Sequence, residues 1–362
     1  MSFQRKENRN RQKKSFTWLV IDLDHIFRRH YIGLQNHYQK TEPTKYHQGY
    51  SWEDDSKFIV ELRSQIQNKV KKLISQLRIN PRRVVLTTDD IQSTTTDWIW
   101  RADVWPDWSL KFNNEFYSYR QGPVWNKVFS EGLTRFFTKE GYTYFTYPDF
   151  EADDVIAVVV QSILQRNPRD QVNIITQDAD FYQLISENVN VLNLDGEEDL
   201  SRCFKTGKAN LWFGIIGGRM SNKVPGLRFE KEKFKKFLGD NYDKDLEELN
   251  EEDTDKYRRL YRQEQYYCIE NLDNFLEWIE TTPNLIEKDQ HLINQRVMDF
   301  SEIPLKHVQR ISKYFWNEYE GKNKKVTPTA VIPEIKTNKT KDEKQQGYKN
   351  PFAALMMEEN EN

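Results

Sequence analysis

Cysteine is nearly absent from this chain of 362 residues: Cys203 and Cys268 are the only two. They make neither a disulfide framework nor a zinc-ligand pattern, so a reducing, cytoplasmic setting is expected. Long hydrophobic runs are missing too. No stretch approaches the roughly 20 apolar residues of a membrane-spanning helix. The apolar segment after the basic start MSFQRKENRNRQKK is too short for a secretory leader, so no membrane role is expected. Nor does one sign of charge dominate. Fifty-four Lys and Arg face 56 Asp and Glu, a net charge of −2. Any nucleic-acid surface must therefore come from local segregation of charge. What is present is 30% charged and 37% hydrophobic residues, with mean hydropathy −0.87. That describes a soluble, surface-rich protein with some disordered sequence.

Residues 1–15 read as a basic, disordered tail. FTWLVIDLDHIF supplies a buried-strand run, Phe16 to Ile21, ending in Asp22 and Asp24. Phe58, Ile59, Leu62, Ile66, Val70, Leu73, Ile74 and Leu77 then form one helical apolar stripe, which predicts core packing. PRRVVLTTDD gives a strand, Val84 to Thr88, with Asp89 and Asp90 at its tip. The aromatic and basic stretch from Trp98 to Gly122 has no clear period. It fits a packed irregular subdomain and a mobile arch offering rings to bases equally well. A helix is expected over 124–140, returning the chain to the sheet.

The stretch from Tyr144 to Leu184 carries the densest chemistry. A β-rich run, Tyr142 to Tyr147, is broken by Pro148, and Glu151, Asp153 and Asp154 precede an apolar helical segment. A second strand, Val172 to Thr176, is followed at once by Asp178 and Asp180. In an open α/β sheet the crevice lies outside the carboxyl ends of the strands, so two consecutive tips are expected to place five carboxylates together. Crowded carboxylates repel unless cations neutralise them, and hard oxygen ligands suit Mg²⁺ or Mn²⁺. Acidic residues in a helix's first turn also complement its dipole without any function. With Asp22 and Asp89 added, four strand tips carry acid. The alternation of elements to about residue 195 predicts a mainly parallel, helix-covered α/β sheet.

Beyond residue 200 the pattern is mainly helical. LWFGIIGGRMSNKVPGL contains a turn at Gly217–Gly218, and a glycine turn at a helix start can offer N–H groups to a phosphate. A helix is expected from about Glu230, charged helices over 240–280, and a last helix over 291–319 with Val308, Ile311, Phe315 and Tyr319. Residues 321–350 read as a disordered linker. In the final NPFAALMMEENEN, Phe352, Leu355 and Met356 at i, i+3, i+4 could dock in a partner's groove; a frayed tail fits as well.

These motifs resemble the 5′-nuclease family: flap endonucleases, the 5′-nuclease domains of bacterial DNA polymerases and phage 5′→3′ exonucleases, with the RNase H branch of T-even bacteriophages nearest. VIDLDHIF, VVLTTDD, FEADDVIA and IITQDADFYQL follow the family's order of acidic motifs, and NQRVMDFSEIP resembles a late segment of that branch. The resemblance implies a Rossmann-like, PIN-like core over 16–200 with an arch at about 98–122, and a helical DNA-binding region of helix-hairpin-helix type over 201–320. It implies a monomeric phosphodiesterase acting on 5′ ends of DNA or RNA–DNA hybrids at replication forks, in host cytoplasm for a phage protein.

By the same resemblance Asp22, Asp89, Glu151 and Asp153 would form a first metal site with Asp154 adjacent. Asp178 and Asp180 would link to a second. Arg101 and Lys111 would steer the scissile phosphate, and Gly217, Gly218, Lys223 and Gly226 would contact DNA. The terminal peptide would meet a sliding clamp or single-strand-binding protein. One departure stands out: Arg219, Asn222 and Lys223 occupy positions where relatives have Asp, Asp and Asn, and Asn114 replaces an arch arginine. A weaker second metal site is expected, and a fork-binding protein with reduced catalysis is the alternative. A haloacid-dehalogenase-type phosphatase, suggested by Asp22 and Asp24, lacks its later acidic motif and does not explain FEADD.

Overall fold

The computed structural model describes residues 15–47, 49–90, 100–101, 103–105, 122–148, 150–198, 203–218, 224–227, 251–281 and 285–321. A five-stranded sheet forms the centre, with every pairing parallel. In sequence order the strands are β1 (Thr17–Asp22), β2 (Val84–Thr87), β3 (Thr143–Tyr144), β4 (Gln171–Ile175) and β5 (Val189–Leu192). In space they run β3-β2-β1-β4-β5. Strands β1 and β2 read as continuous apolar runs because both faces are covered, as parallel sheets require, whereas β4 carries the half-buried Asn173, whose side chain accepts from Asn190.

Alternation sorts the side chains into two layers. Leu19, Ile21, Val84, Leu86 and Ile175 join one core. Helices α1 (Leu23–Thr41) and α2 (Ser56–Gln76) pack there, with Phe27, Phe58, Leu62, Ile66 and Val70 fully buried. So does the segment made of α3 (Pro123–Val128), a π-turn (Phe129–Leu133) and α4 (Thr134–Lys139). Trp18, Val20, Val85, Val172 and Ile174 face the other core, under α5 (Ala152–Arg166). Helix α5 is itself covered by the last helix, which explains its VIAVVV run: it is buried nearly all round.

The C-terminal part is helical: α6 (Gly207–Gly217), α7 (Glu251–Glu270), α8 (Leu272–Thr281), α9 (Leu285–Met298) and α10 (Leu305–Gly321). The parallel, helix-covered sheet is as expected, but several details differ. The strand expected over 142–147 pairs only at Thr143–Tyr144, because it is the edge strand and the chain turns back toward β2 after it. The single last helix expected over 291–319 is two, broken by a 3₁₀ turn (Phe300–Glu302) that Asp299 caps and Pro304 follows. The sequence reading had no helix at α1. The helix expected from Glu230, the 1–14 tail and the 322–362 segment, with Phe352, Leu355 and Met356, lie outside the described residues. Among those described, no helix is long and apolar enough to cross a membrane.

Two outcomes follow from this packing. Phe315 is fully buried against Trp18 and Phe145. Phe315→Ala should cost about 3–5 kcal/mol in urea unfolding, the usual range for an emptied aromatic core site. His307 packs on Phe150, and its buried Nδ1 has no hydrogen-bond partner. Burial, with Lys306 and Arg310 adding to it, lowers its pKa from 6.5 to about 4. The unfolded chain therefore takes up this proton first, so its stabilising contribution is complete above pH 6.5 and is lost as pH falls toward 4. His307→Leu should show a shallower fall in thermal midpoint across that window than the parent chain.

Candidate active site

The carboxyl ends of β1, β2 and β4 lie side by side, and each ends in acid. Asp22, the last residue of β1, caps α1: its Oδ1 accepts from the Asp24 backbone N–H at 3.1 Å. Its Oδ2 lies 2.8 Å from His25 Nδ1 and accepts from the Thr176 hydroxyl at 3.1 Å. At β4, the Asp178 N–H donates to Thr176 Oγ1 (3.1 Å), and Asp178 Oδ1 accepts from the Asp180 N–H (2.8 Å). Thr176 thus ties two strand tips together.

The β2 tip is locked from both sides. Asp24 Oδ2 accepts from the Asp89 N–H at 2.7 Å, and Asp24 Oδ1 from Trp125 Nε1 at 3.3 Å. Asp89 Oδ1 accepts from the Ala152 N–H at 2.7 Å, capping α5 from a different strand. Asp90 bridges Phe150 and accepts from the Thr146 hydroxyl. The two consecutive strands β3 and β4 are not neighbours, because β2 and β1 lie between them. Glu151, Asp153 and Asp154 meet the other acids because the 145–151 segment crosses back to the β2 tip. Asp24, buried and doubly engaged, is a structural acceptor, which argues against a dehalogenase-type role for it.

Asp153, in the first turn of α5, is the focus of the charge. Burial pushes its carboxyl well above the ordinary range, and the charges of Asp178, Asp22, Glu151 and Asp89 push it further. One helix residue therefore feels acids from three strand tips. Such a donor set, all carboxylate oxygen, fits a hard divalent cation in its chemistry. Among the described residues, no three Asp, Glu, His or Cys side chains converge closely enough to hold an ion as they stand. The fit is one of donor type and charge.

Arg101 differs from expectation. It is 3% exposed, with Nη1 at 3.2 Å from Glu151 Oε2 and 2.8 Å from Asp154 Oδ2, and Nη2 at 2.7 Å from Asp154 Oδ1. Its Nε donates to the Val297 carbonyl at 2.8 Å, and its guanidinium stacks over Trp100, whose Nε1 donates to Asp154. Burial disfavours its charge, but Asp154 and Glu151 outweigh that and raise its pKa. In this structure Arg101 is a buried counter-ion and is not presented to a phosphate. Asp154 is its bidentate partner. Lys111 lies outside the described residues.

The glycine turn also departs from expectation. Gly217–Gly218 ends α6, and the Gly218 N–H is spent on the Gly214 carbonyl at 2.9 Å. Gly218 has φ +67, and a Cβ there would collide with the backbone of residues 224–226, so the sequence needs glycine. Gly226 packs equally closely, against Gly217 and Tyr261. Asn294 and Tyr261 donate to the carbonyls of Ile215, Pro225, Ile216 and Leu227 and close the turn. Lys223, Arg219 and Asn222 lie outside the described residues. Sequence reasoning missed His25, Thr176 and Trp100. His25 sat within the quoted VIDLDHIF, three residues beyond Asp22, the one signal that could have marked it.

A parallel sheet with acids gathered at the carboxyl ends of its central strands defines an α/β protein of the kind that binds ligands at strand tips. Residues 127–210 match the family model described as 5′-3′ exonuclease, N-terminal resolvase-like domain. This span holds Glu151, Asp153, Asp154, Asp178 and Asp180, so these acids lie within the stretch that is similar to that domain. No curated protein matches it. Solved structures similar to it include the bacteriophage T5 D15 protein co-crystallised with metal ions, at 13% identity and TM-score 0.48, covering 84% of this chain and 99% of that one. The T5 5′-exonuclease with bound zinc is similar at 13% identity and TM-score 0.44, with the same coverage. The T5 flap endonuclease in a product complex with DNA and metal ions is similar at 15% identity and TM-score 0.42, again covering 84% and 99%.

Removing Arg101 tests its buried role. Arg101→Gln leaves Glu151 and Asp154 buried without their cation and should cost about 3–5 kcal/mol in chemical denaturation. An arginine held out for a phosphate would leave stability within about 0.5 kcal/mol.

Proposed function

We propose that this chain is a divalent-metal-dependent 5′→3′ exonuclease and flap endonuclease that hydrolyses phosphodiesters of 5′ DNA flaps or of RNA in RNA–DNA hybrids during replication. The crowding of Asp22, Asp89, Glu151 and Asp178 around Asp153 carries this reading, because it gathers an anionic cluster at the strand tips. Asp22, Asp153 and Asp178 would hold a Mg²⁺ or Mn²⁺ ion, with Glu151 and Asp89 beside it and Asp180 toward a second. A divalent cation supplies Lewis acidity toward the phosphate and eases ionisation of a water. The chain's own task is to keep several carboxylates oriented. Asp89 does this through the α5 backbone, Glu151 through Arg101 and Asp22 through Thr176.

DNA with a 5′ end or flap is the partner on this reading. The region around Gly217, Gly218 and Gly226, with Lys223, would contact the duplex, and Phe352, Leu355 and Met356 would meet a clamp or single-strand-binding protein. The molecule acts as a monomer in the cytoplasm, a host's if the source is a phage. A second reading is a fork-binding protein with weak catalysis. It is favoured by Arg219 and Asn222, which stand where the resemblance would place two aspartates of a second metal site.

Cleavage of a 5′-flap DNA and of a 5′-labelled RNA–DNA hybrid, titrated with Mg²⁺ and with Mn²⁺, separates these readings. Cleavage that Asp153→Asn abolishes supports the nuclease; flap binding without cleavage in either metal supports the second reading. Asp153 also predicts a stability effect. Its folded pKa lies above its unfolded value, so it destabilises the fold at neutral pH, and that penalty fades as pH falls toward the unfolded value. Without metal, Asp153→Asn should therefore raise the thermal midpoint at pH 7, with a smaller gain at pH 4.5.

A further inference from the structure

We propose that His25 is a positioning residue that holds the carboxylate of Asp22 in the orientation a cation ligand needs. The inference rests on the reading of Asp22 as part of the metal-binding set.

Helix capping requires only one of Asp22's oxygens, and Oδ1 serves that role by accepting from the Asp24 N–H. Oδ2 is free of that duty, yet two further groups hold it. His25 Nδ1, one helical turn on, lies 2.8 Å away, and Thr176 Oγ1 reaches it from β4 at 3.1 Å. His25 Nδ1 and Thr176 Oγ1 are themselves 3.0 Å apart, so the three groups close a triangle across two strand tips. A carboxylate acceptor at this distance requires the proton on Nδ1. The last torsion of an aspartate is broad, so donors at both oxygens are what fix its plane. His25 is partly exposed, and an apolar side chain would fill its place in the packing but would leave Oδ2 with one donor fewer. Partners of this kind behind metal-binding carboxylates typically govern affinity by about 10–100-fold.

Isothermal titration of the metal-free protein with Mn²⁺ tests this without reference to activity. The parent chain, His25→Leu, His25→Asn, His25→Gln and Asp153→Asn are compared, with thermal midpoints recorded in parallel. Asn carries an amide N–H close to the Nδ1 position, whereas the Gln amide lies beyond it. The expected result is Mn²⁺ affinity lowered about 10-fold or more in His25→Leu and His25→Gln, and restored toward the parent value in His25→Asn. Should His25→Leu fail to fold, the contrast between Asn and Gln decides. Parent-like affinity in His25→Gln while Asp153→Asn loses binding overturns the role of His25 and leaves the metal site standing. Equal weakening in Asn and Gln overturns it too, because bulk and not the donor would then matter. Absence of Mn²⁺ binding by the parent chain, or unchanged binding by Asp153→Asn, removes the metal site and the inference with it.

Discussion

Repulsion among like charges governs the architecture at the head of this sheet. Acids from β1, β2, β4 and the start of α5 share a small volume, and burial amplifies their mutual repulsion at Asp153. A fold can hold such a cluster only by giving each carboxylate fixed donors or a counter-ion, or by receiving a cation from solution. This chain does the first for most members. Asp89 is spent on a helix N-terminus, Asp22 on a capping turn and two side chains, and Glu151 and Asp154 on Arg101. Asp153 has the least relief, which makes it the natural focus for an incoming ion.

The parallel sheet makes the crowding possible. Parallel strands all point their carboxyl ends the same way, so acids placed after the strands arrive at one edge. Order within the sheet then matters more than order in sequence. The strand before FEADD is a two-residue edge strand, and the loop that follows carries α5 inward over β2. Burial of α5 on nearly every side holds its first turn in place.

The junction of α9 and α10 links this edge to the C-terminal helices. Val297 accepts from Arg101, the Met298 carbonyl accepts from Gln183, and the Phe300 N–H donates back to Gln183. Gln183 lies in the 3₁₀ turn (Ala179–Leu184) that follows Asp178. Helix α9 also carries Asn294, which closes the glycine turn after α6. One helix thus supports both the acidic cluster and the turn.

Much of this was legible in the sequence, for a physical reason. The apolar runs before Asp22 and Asp89 are continuous because those strands are buried on both faces, and the acidic tips follow from local order alone. The Phe58-to-Leu77 stripe likewise declared its helix, since burial on one side imposes a period. The resemblance of FEADD and IITQDAD to 5′-nuclease motifs then suggested a chemistry for those acids. Which strands are neighbours could not be read, since parallel pairing is set by contacts distant in sequence. Nor could the division of labour among similar residues. Asp24 and Asp89 are set apart from Asp153 by the donors opposite them, the Asp89 N–H and Trp125 Nε1 for the one and the Ala152 N–H for the other, and Arg101 is a buried counter-ion because Glu151, Asp154 and Val297 surround it. The sequence determined that acids gather at one edge of a parallel sheet. The tertiary structure alone decided which acids brace the fold and which remain crowded, because hydrogen-bond partners are assigned by packing.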